Sequence, residues 1–107
     1  DGCCTAQRTH ADAEYGFIFR NCRFYAEDRI ETKAYRLARP WGRDAAAFFI
    51  NCYMSDVVCD NGYSDMSGNS YKNARFAEYG SVGEGVAVNN DRPLLRRSQA
   101  EHCMEII

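Results

Sequence analysis

The 107-residue sequence predicts an all-β chain of stacked coils closed by one short C-terminal helix. Three observations carry this. Phe19-Arg20-Asn21-Cys22-Arg23-Phe24 returns thirty residues later as Phe49-Ile50-Asn51-Cys52-Tyr53-Met54, identical at Phe, Asn and Cys. Self-similarity at that period marks units that bury their apolar faces only by stacking on one another. Each copy lies in an aromatic, apolar run bounded by charged or glycine-bearing segments, and no long helical period separates them. Finally, Ser98-Gln99-Ala100-Glu101 near the end has the spacing of a capping box.

Taken in order, residues 15–25 and 47–58 read as strands covered on at least one face. Within the repeated motifs Asn21 and Asn51 can stand at strand ends. Asparagine tolerates left-handed dihedrals and bonds nearby backbone, so each either turns the chain within a ladder of amides or serves as an ordinary turn residue. Residues 60–73, with Asn61-Gly62 and Ser67-Gly68-Asn69, read as a long loop of the kind that lines binding surfaces. Residues 76–79 form a further short strand. Gly80-Ser81-Val82-Gly83-Glu84-Gly85 lacks the lysine of a phosphate loop, and Glu84 would repel a phosphate, so it reads as turn structure. After Ser98 a helix of about two turns follows, with Ala100, Cys103, Met104 and Ile107 on one face to cover a coil end.

The chain has the size of a single unit, 1–107, and roughly 60 to 70% of its unfolded surface would be buried on folding. It is 46% hydrophobic and 26% charged with two prolines, the profile of a folded chain. A formal charge of −2 offers no footprint for nucleic acid or an anionic membrane. The longest strictly apolar run, residues 45–50, is far below the roughly 20 residues that span a bilayer. The opening at Asp1, with neither a methionine nor a signal segment, reads as a cut N-terminus.

Six cysteines, Cys3, Cys4, Cys22, Cys52, Cys59 and Cys103, permit three bridges. Cys22 and Cys52 sit inside apolar runs, where a free thiol behaves as a small buried hydrophobe. There is no Cys-x-x-Cys pair, and neighbours on an extended strand face opposite ways, so a zinc site at Cys3 and Cys4 is not expected. His10 reads as a loop residue and His102 as one face of the terminal helix; neither has a motif partner for a triad, and no Gly-x-Ser-x-Gly elbow occurs.

Four strings in order then resemble one family. Leu37-Ala38-Arg39-Pro40-Trp41-Gly42, followed by Phe48-Phe49-Ile50-Asn51-Cys52, resembles the Leu-Gly-Arg-Pro-Trp signature of pectin methylesterases and the strand after it. Cys4-Thr5-Ala6-Gln7-Arg8 is similar to the family's Thr-Ala-Gln-Gly-Arg strand, and Gly16-Phe17-Ile18-Phe19-Arg20-Asn21-Cys22 to the next coil. Phe76-Ala77-Glu78-Tyr79, continued to Gly85, resembles Phe-Ala-Glu-Tyr-x-x-x-Gly-Pro-Gly. The resemblance implies the C-terminal coils of a right-handed, single-stranded parallel β-helix. It also implies hydrolysis of methyl esters on polygalacturonate with no metal or organic cofactor, methyl-esterified pectin as partner, and a secreted or periplasmic location.

In that family one aspartate attacks the ester, a second acts as general acid and then base, and glutamines stabilise the oxyanion. The resemblance makes Arg39 the arginine that holds the nucleophilic carboxylate and keeps it ionised. Trp41 becomes the flat face for a sugar ring. Tyr63, where the family often has tryptophan, is a second candidate substrate contact.

The catalytic aspartates and glutamines of the family lie upstream of the Thr5-Ala6-Gln7 strand. Asp12, Asp28, Asp44 and Asp56 stand in none of the family's aspartate contexts and read as solvated turns. Ala38 replaces a glycine, which predicts distortion if the backbone there needs positive φ. Asp44-Ala45-Ala46-Ala47 replaces a segment that usually carries an aromatic, a basic residue and threonine. The expectation is a chain inactive by itself that self-associates through its exposed N-terminal coil. Two rivals remain: a noncatalytic pectin-binding solenoid using Trp41 and residues 60–73, and a disulfide-stapled secreted domain.

Overall fold

The computed structural model describes residues 2–7, 9, 16–25, 32–66 and 68–105. His10, Asp12, Asp28 and Ile107 lie outside them. The described residues form seven strands: β1 (Gly2–Gln7), β2 (Phe17–Arg20), β3 (Arg23–Phe24), β4 (Tyr35–Pro40), β5 (Ala46–Ile50), β6 (Tyr53–Met54) and β7 (Arg75–Tyr79). A 3-10 turn spans Tyr71–Asn73, and helix α1 spans Arg97–Glu105.

Every pairing between these strands is parallel, and the strands form three columns. One is β1-β4, extended by bridges from Tyr35 to Val58 and from Ala38 to Tyr63. The second is β2-β5-β7, extended by a bridge from Glu78 to Leu94. The third is β3-β6, extended from Tyr53 to Val82. Each circuit of the chain thus adds one rung to each column, which is the stacking expected of a β-helix.

The sequence repeat is this stacking in register. Phe19 pairs with Phe49, and their rings stack at 5.0 Å with 8° between planes. Each run expected as a single strand is broken in two by its asparagine, which takes the left-handed conformation: φ is 57° at Asn21 and 52° at Asn51. Their backbone N–H groups donate to Ile50 and Tyr79 carbonyls at 2.9 and 2.8 Å. At the third rung Gly80 takes φ 69°, and an added Cβ would collide with the Asn51 side-chain oxygen. The column therefore passes from asparagine to glycine, and no continuous amide ladder runs through it.

Strand β5 is buried along its whole length because both of its faces are covered. Ala47 and Phe49 point into the coil interior with Leu37, Met54 and Phe76, whereas Ala46, Phe48 and Ile50 pack with Ala77, Leu95, Ala100 and Cys103. Helix α1 therefore lies on the outer face of the β2-β5-β7 sheet rather than over a coil end as expected from sequence. It also starts earlier than Ser98 suggests: the Gln99 side chain accepts from the Arg96 backbone N–H at 2.9 Å, the N3-to-cap half of a capping box set two residues upstream.

Cys52 is fully buried and Cys22 packs at the edge of the same core. All six cysteines are unpaired thiols, so the core is held by packing without bridges.

Candidate functional site

Strand β4 was not legible as a strand, because two arginines, an alanine and a proline in six residues are poor β formers. Its position between β1 and the Val58 and Tyr63 bridges makes it one. Leu37 and Ala38 are fully buried, while Arg39 turns outward. Ala38 pairs with Thr5 in ordinary extended backbone and is absent from the positive-φ residues, so the alanine causes no distortion there. Pro40 ends the strand, and Trp41 emerges from it 49% exposed.

Among the described residues no carboxylate pairs with the Arg39 guanidinium. The strand thus delivers a permanent positive charge to the surface two residues before an exposed indole. Neither group transfers protons at neutral pH; together they offer a charge-assisted donor fork and a flat apolar face. They can hold an anionic or carboxyl-bearing partner against a ring, but acid-base chemistry must come from other groups.

The loop at residues 60–73 buttresses this surface. Asn69 donates its side-chain amide to the Trp41 carbonyl at 3.2 Å. Met66 and Asn69 exchange backbone hydrogen bonds at 3.0 and 2.8 Å, closing a tight turn. Asp65 accepts from the Tyr71 N–H at 3.0 Å, and Ser70 caps the 3-10 turn by accepting from Lys72 N–H at 3.2 Å. Beside Trp41 in sequence, Arg43 lines a cleft of about 260 Å³ with Gly68, Asn69, Ser70 and Asn73. Among the described residues, no group of three or more His, Cys, Asp or Glu side chains is placed to hold a metal ion.

Tyr63, the second candidate substrate contact, lies inside the coil and apart from this exposed surface. It is 1% exposed, with its ring 5.0 Å from Phe76 and 6.4 Å from Tyr71. The bridge to Ala38 fixes its backbone in the column that turns its side chain inward, and its hydroxyl has no hydrogen-bond partner. Burial, and secondarily the charge of Glu78, push that phenol well above its ordinary value, with Arg92 opposing.

The strongest polar feature inside the fold went unread from sequence. Arg92 is fully buried, and its Nε and Nη2 donate to the two carboxylate oxygens of Glu78, each at 2.8 Å. Nη1 donates to the carbonyls of Gly85 at 2.6 Å and Cys59 at 3.3 Å. Ser81 donates its hydroxyl to Glu78 at 2.9 Å. Burial draws the Arg92 pKa down, but the Glu78 hydrogen bonds and charge more than reverse this, leaving it raised. A signal existed: in a strand of period two, Glu78 shares the inward face of Phe76 and so demands a buried cation.

The pectinesterase family model matches residues 2–93. Pectinesterase A of Dickeya chrysanthemi is 32% identical over 123 aligned positions, covering 92% of this chain and 33% of that protein. Probable pectinesterase 29 of Arabidopsis thaliana is 35% identical over 89, covering 81% and 25%. A crystal structure of a pectin methylesterase in complex with a hexasaccharide superposes with a TM-score of 0.70 at 27% identity, covering 88% of this chain and 34% of that one. The deglycosylated Aspergillus niger pectin methylesterase, at 20% identity and the same TM-score of 0.70, shares the fold. The chain spans about a third of the length of the Dickeya relative it matches. By these matches the chain belongs to the pectinesterase family.

Proposed function

We propose that this chain is the C-terminal part of a pectin methylesterase, hydrolysing methyl esters of polygalacturonate and releasing methanol. The observation that carries it is Arg39, an exposed guanidinium without a carboxylate partner among the described residues, two residues before half-exposed Trp41. In this reading an aspartate from coils upstream of β1 occupies the Arg39 fork. The adjacent positive charge keeps that carboxylate ionised as a nucleophile, and its ionic hydrogen bonds fix its aim. Trp41 supplies the platform for a galacturonate ring. The reaction needs no metal or organic cofactor, and its polymeric substrate places the protein outside the cell or in the periplasm.

Alone, the chain carries the arginine and the indole without the acid-base pair and is inactive. The coils wind right-handedly, the hand taken by about 98% of parallel crossovers within one sheet. Among the described strands β1 is hydrogen-bonded to β4, and in this reading a further strand, either from upstream coils or from a second copy, stacks on the opposite side of β1. Sedimentation of the isolated chain is expected to show association; a monomer at all accessible concentrations would contradict this.

The test is methanol release from methylated pectin. The isolated chain releases none, and any release from it overturns its inactivity. In the polypeptide extended through its upstream coils, Arg39→Ala lowers turnover by about a hundredfold, the scale of a misplaced reacting group. Undiminished turnover would defeat the assignment. A second reading, a noncatalytic pectin-binding module, is favoured by the Asn69 bond that holds Trp41 on the loop. Under it, Trp41 fluorescence shifts with oligogalacturonides even though no polypeptide context restores methanol release.

A further inference from the structure

The repeat places two thiols at equivalent positions of neighbouring coils. Phe19 and Arg20 pair with Phe49 and Ile50 on one side, and Arg23 pairs with Tyr53 on the other. Cys22 and Cys52 therefore occupy the same point of the turn between, one rung apart. The Cys22 carbonyl accepts from the Tyr53 N–H at 2.8 Å, which confirms the rung.

Neighbouring strands lie about 4.8 Å apart. Disulfides span Cα separations of about 4.4 to 6.8 Å. The Cys52 thiol leans toward the earlier coil, donating to the Phe19 carbonyl at 3.4 Å, and it lies against the thiol of Cys22. At the next rung the equivalent position is Ser81, whose carbonyl-side neighbour Val82 donates to Cys52 at 3.0 Å. The column thus runs Cys22, Cys52, Ser81, and only its first two members can be oxidised to one another.

We propose that Cys22 and Cys52 form an inducible disulfide that staples one coil to the next. The reaction is exchange with a small-molecule disulfide such as oxidised glutathione. Half-buried Cys22, as thiolate, attacks one glutathione sulfur, forming a mixed disulfide and releasing one reduced glutathione. Cys52 then loses its proton to solvent base and attacks the Cys22 sulfur, releasing the second glutathione as thiolate, which is reprotonated. Two protein thiols are oxidised to one disulfide, and one glutathione disulfide is reduced to two thiols. Burial raises the Cys52 thiol to about 11, so closure is slow at neutral pH and quickens as pH rises. The closed bridge ties a thirty-residue loop that contains all of β3, β4 and β5.

The experiment incubates the purified chain with oxidised glutathione at mildly alkaline pH, unfolds it, alkylates the remaining thiols and maps the peptides without reduction. The expected result is a single linkage of the Cys22 and Cys52 peptides, two thiols lost from six, and a higher unfolding temperature reversed by dithiothreitol. Cys22→Ser and Cys52→Ala should each abolish both the linkage and the temperature rise. The wild-type map is decisive even if a variant fails to fold. Cys22 recovered carrying glutathione while Cys52 remains alkylated, Cys22 and Cys52 both recovered alkylated, or either one joined to another cysteine, overturns the proposal.

Discussion

The coil interior is filled in two different ways along its length. Between the first described coils it is apolar: Phe19 stacks on Phe49, and Phe24 meets both edge-on at 6.0 and 5.6 Å. At the last coils the same cross-section holds Arg92 gripped by Glu78, with Tyr63 beside the pair. The first filling depends on area and stacking geometry. The second depends on every donor being used, since a buried charge without partners costs several kcal/mol. A solenoid can therefore terminate its apolar column in a polar plug, provided the plug satisfies itself before solvent is excluded.

Breaking the plug should have the largest effect. Glu78→Ala leaves the guanidinium charged and buried and should cost about 3 to 5 kcal/mol. Replacing both partners together, as Glu78→Met with Arg92→Leu, should cost far less. Denaturant unfolding of Glu78→Met, Arg92→Leu and the double variant gives the double-mutant cycle, and an additive result would mean the pair contributes nothing as a pair.

The apolar region should respond more gently. Phe49→Leu keeps most of the buried volume but loses the ring stack, and should cost about 2 kcal/mol. A loss as large as that of Glu78→Ala would mean the stacked rings are as intolerant as the ion pair and erase the contrast.

The smallest expected change is a gain. Tyr63→Phe removes a buried hydroxyl that has no partner and should stabilise by about 1 kcal/mol. It also tests a pH limb. The phenol is raised in the folded state, so the native protein holds its proton where the unfolded chain has lost it. Stability from this group is complete below the ordinary tyrosine value of about 10 and falls above it by about 1.4 kcal/mol per pH unit. In the phenylalanine variant that contribution to the alkaline limb should vanish; identical limbs would show that Tyr63 does not titrate on unfolding.

The two regions also differ in how far they could be read in advance. The Phe-Asn-Cys repeat gave the period and marked two candidate turns, since parallel stacking projects each coil onto equivalent positions of the next; the register and the left-handed φ at both asparagines came from the structure. Arg39 and Trp41 were legible through a short signature, and both prove to be exposed. The burial of Tyr63 was not legible, because a match to a family position does not report whether the side chain faces solvent or core. Arg92 was missed because Asn-Asn-Asp-Arg-Pro has the composition of a solvated turn, and nothing local reports that its side chain enters the interior.

By itself the sequence determined the stacked architecture, the family and the surface arginine and indole, all properties of local patterns repeated or conjoined along the chain. Tertiary structure alone decided the inward turn of Tyr63, the union of Glu78 with Arg92, and the docking of α1 on the sheet face. Each of these depends on which segments meet in space, and segments distant along the chain meet only once the coils have closed.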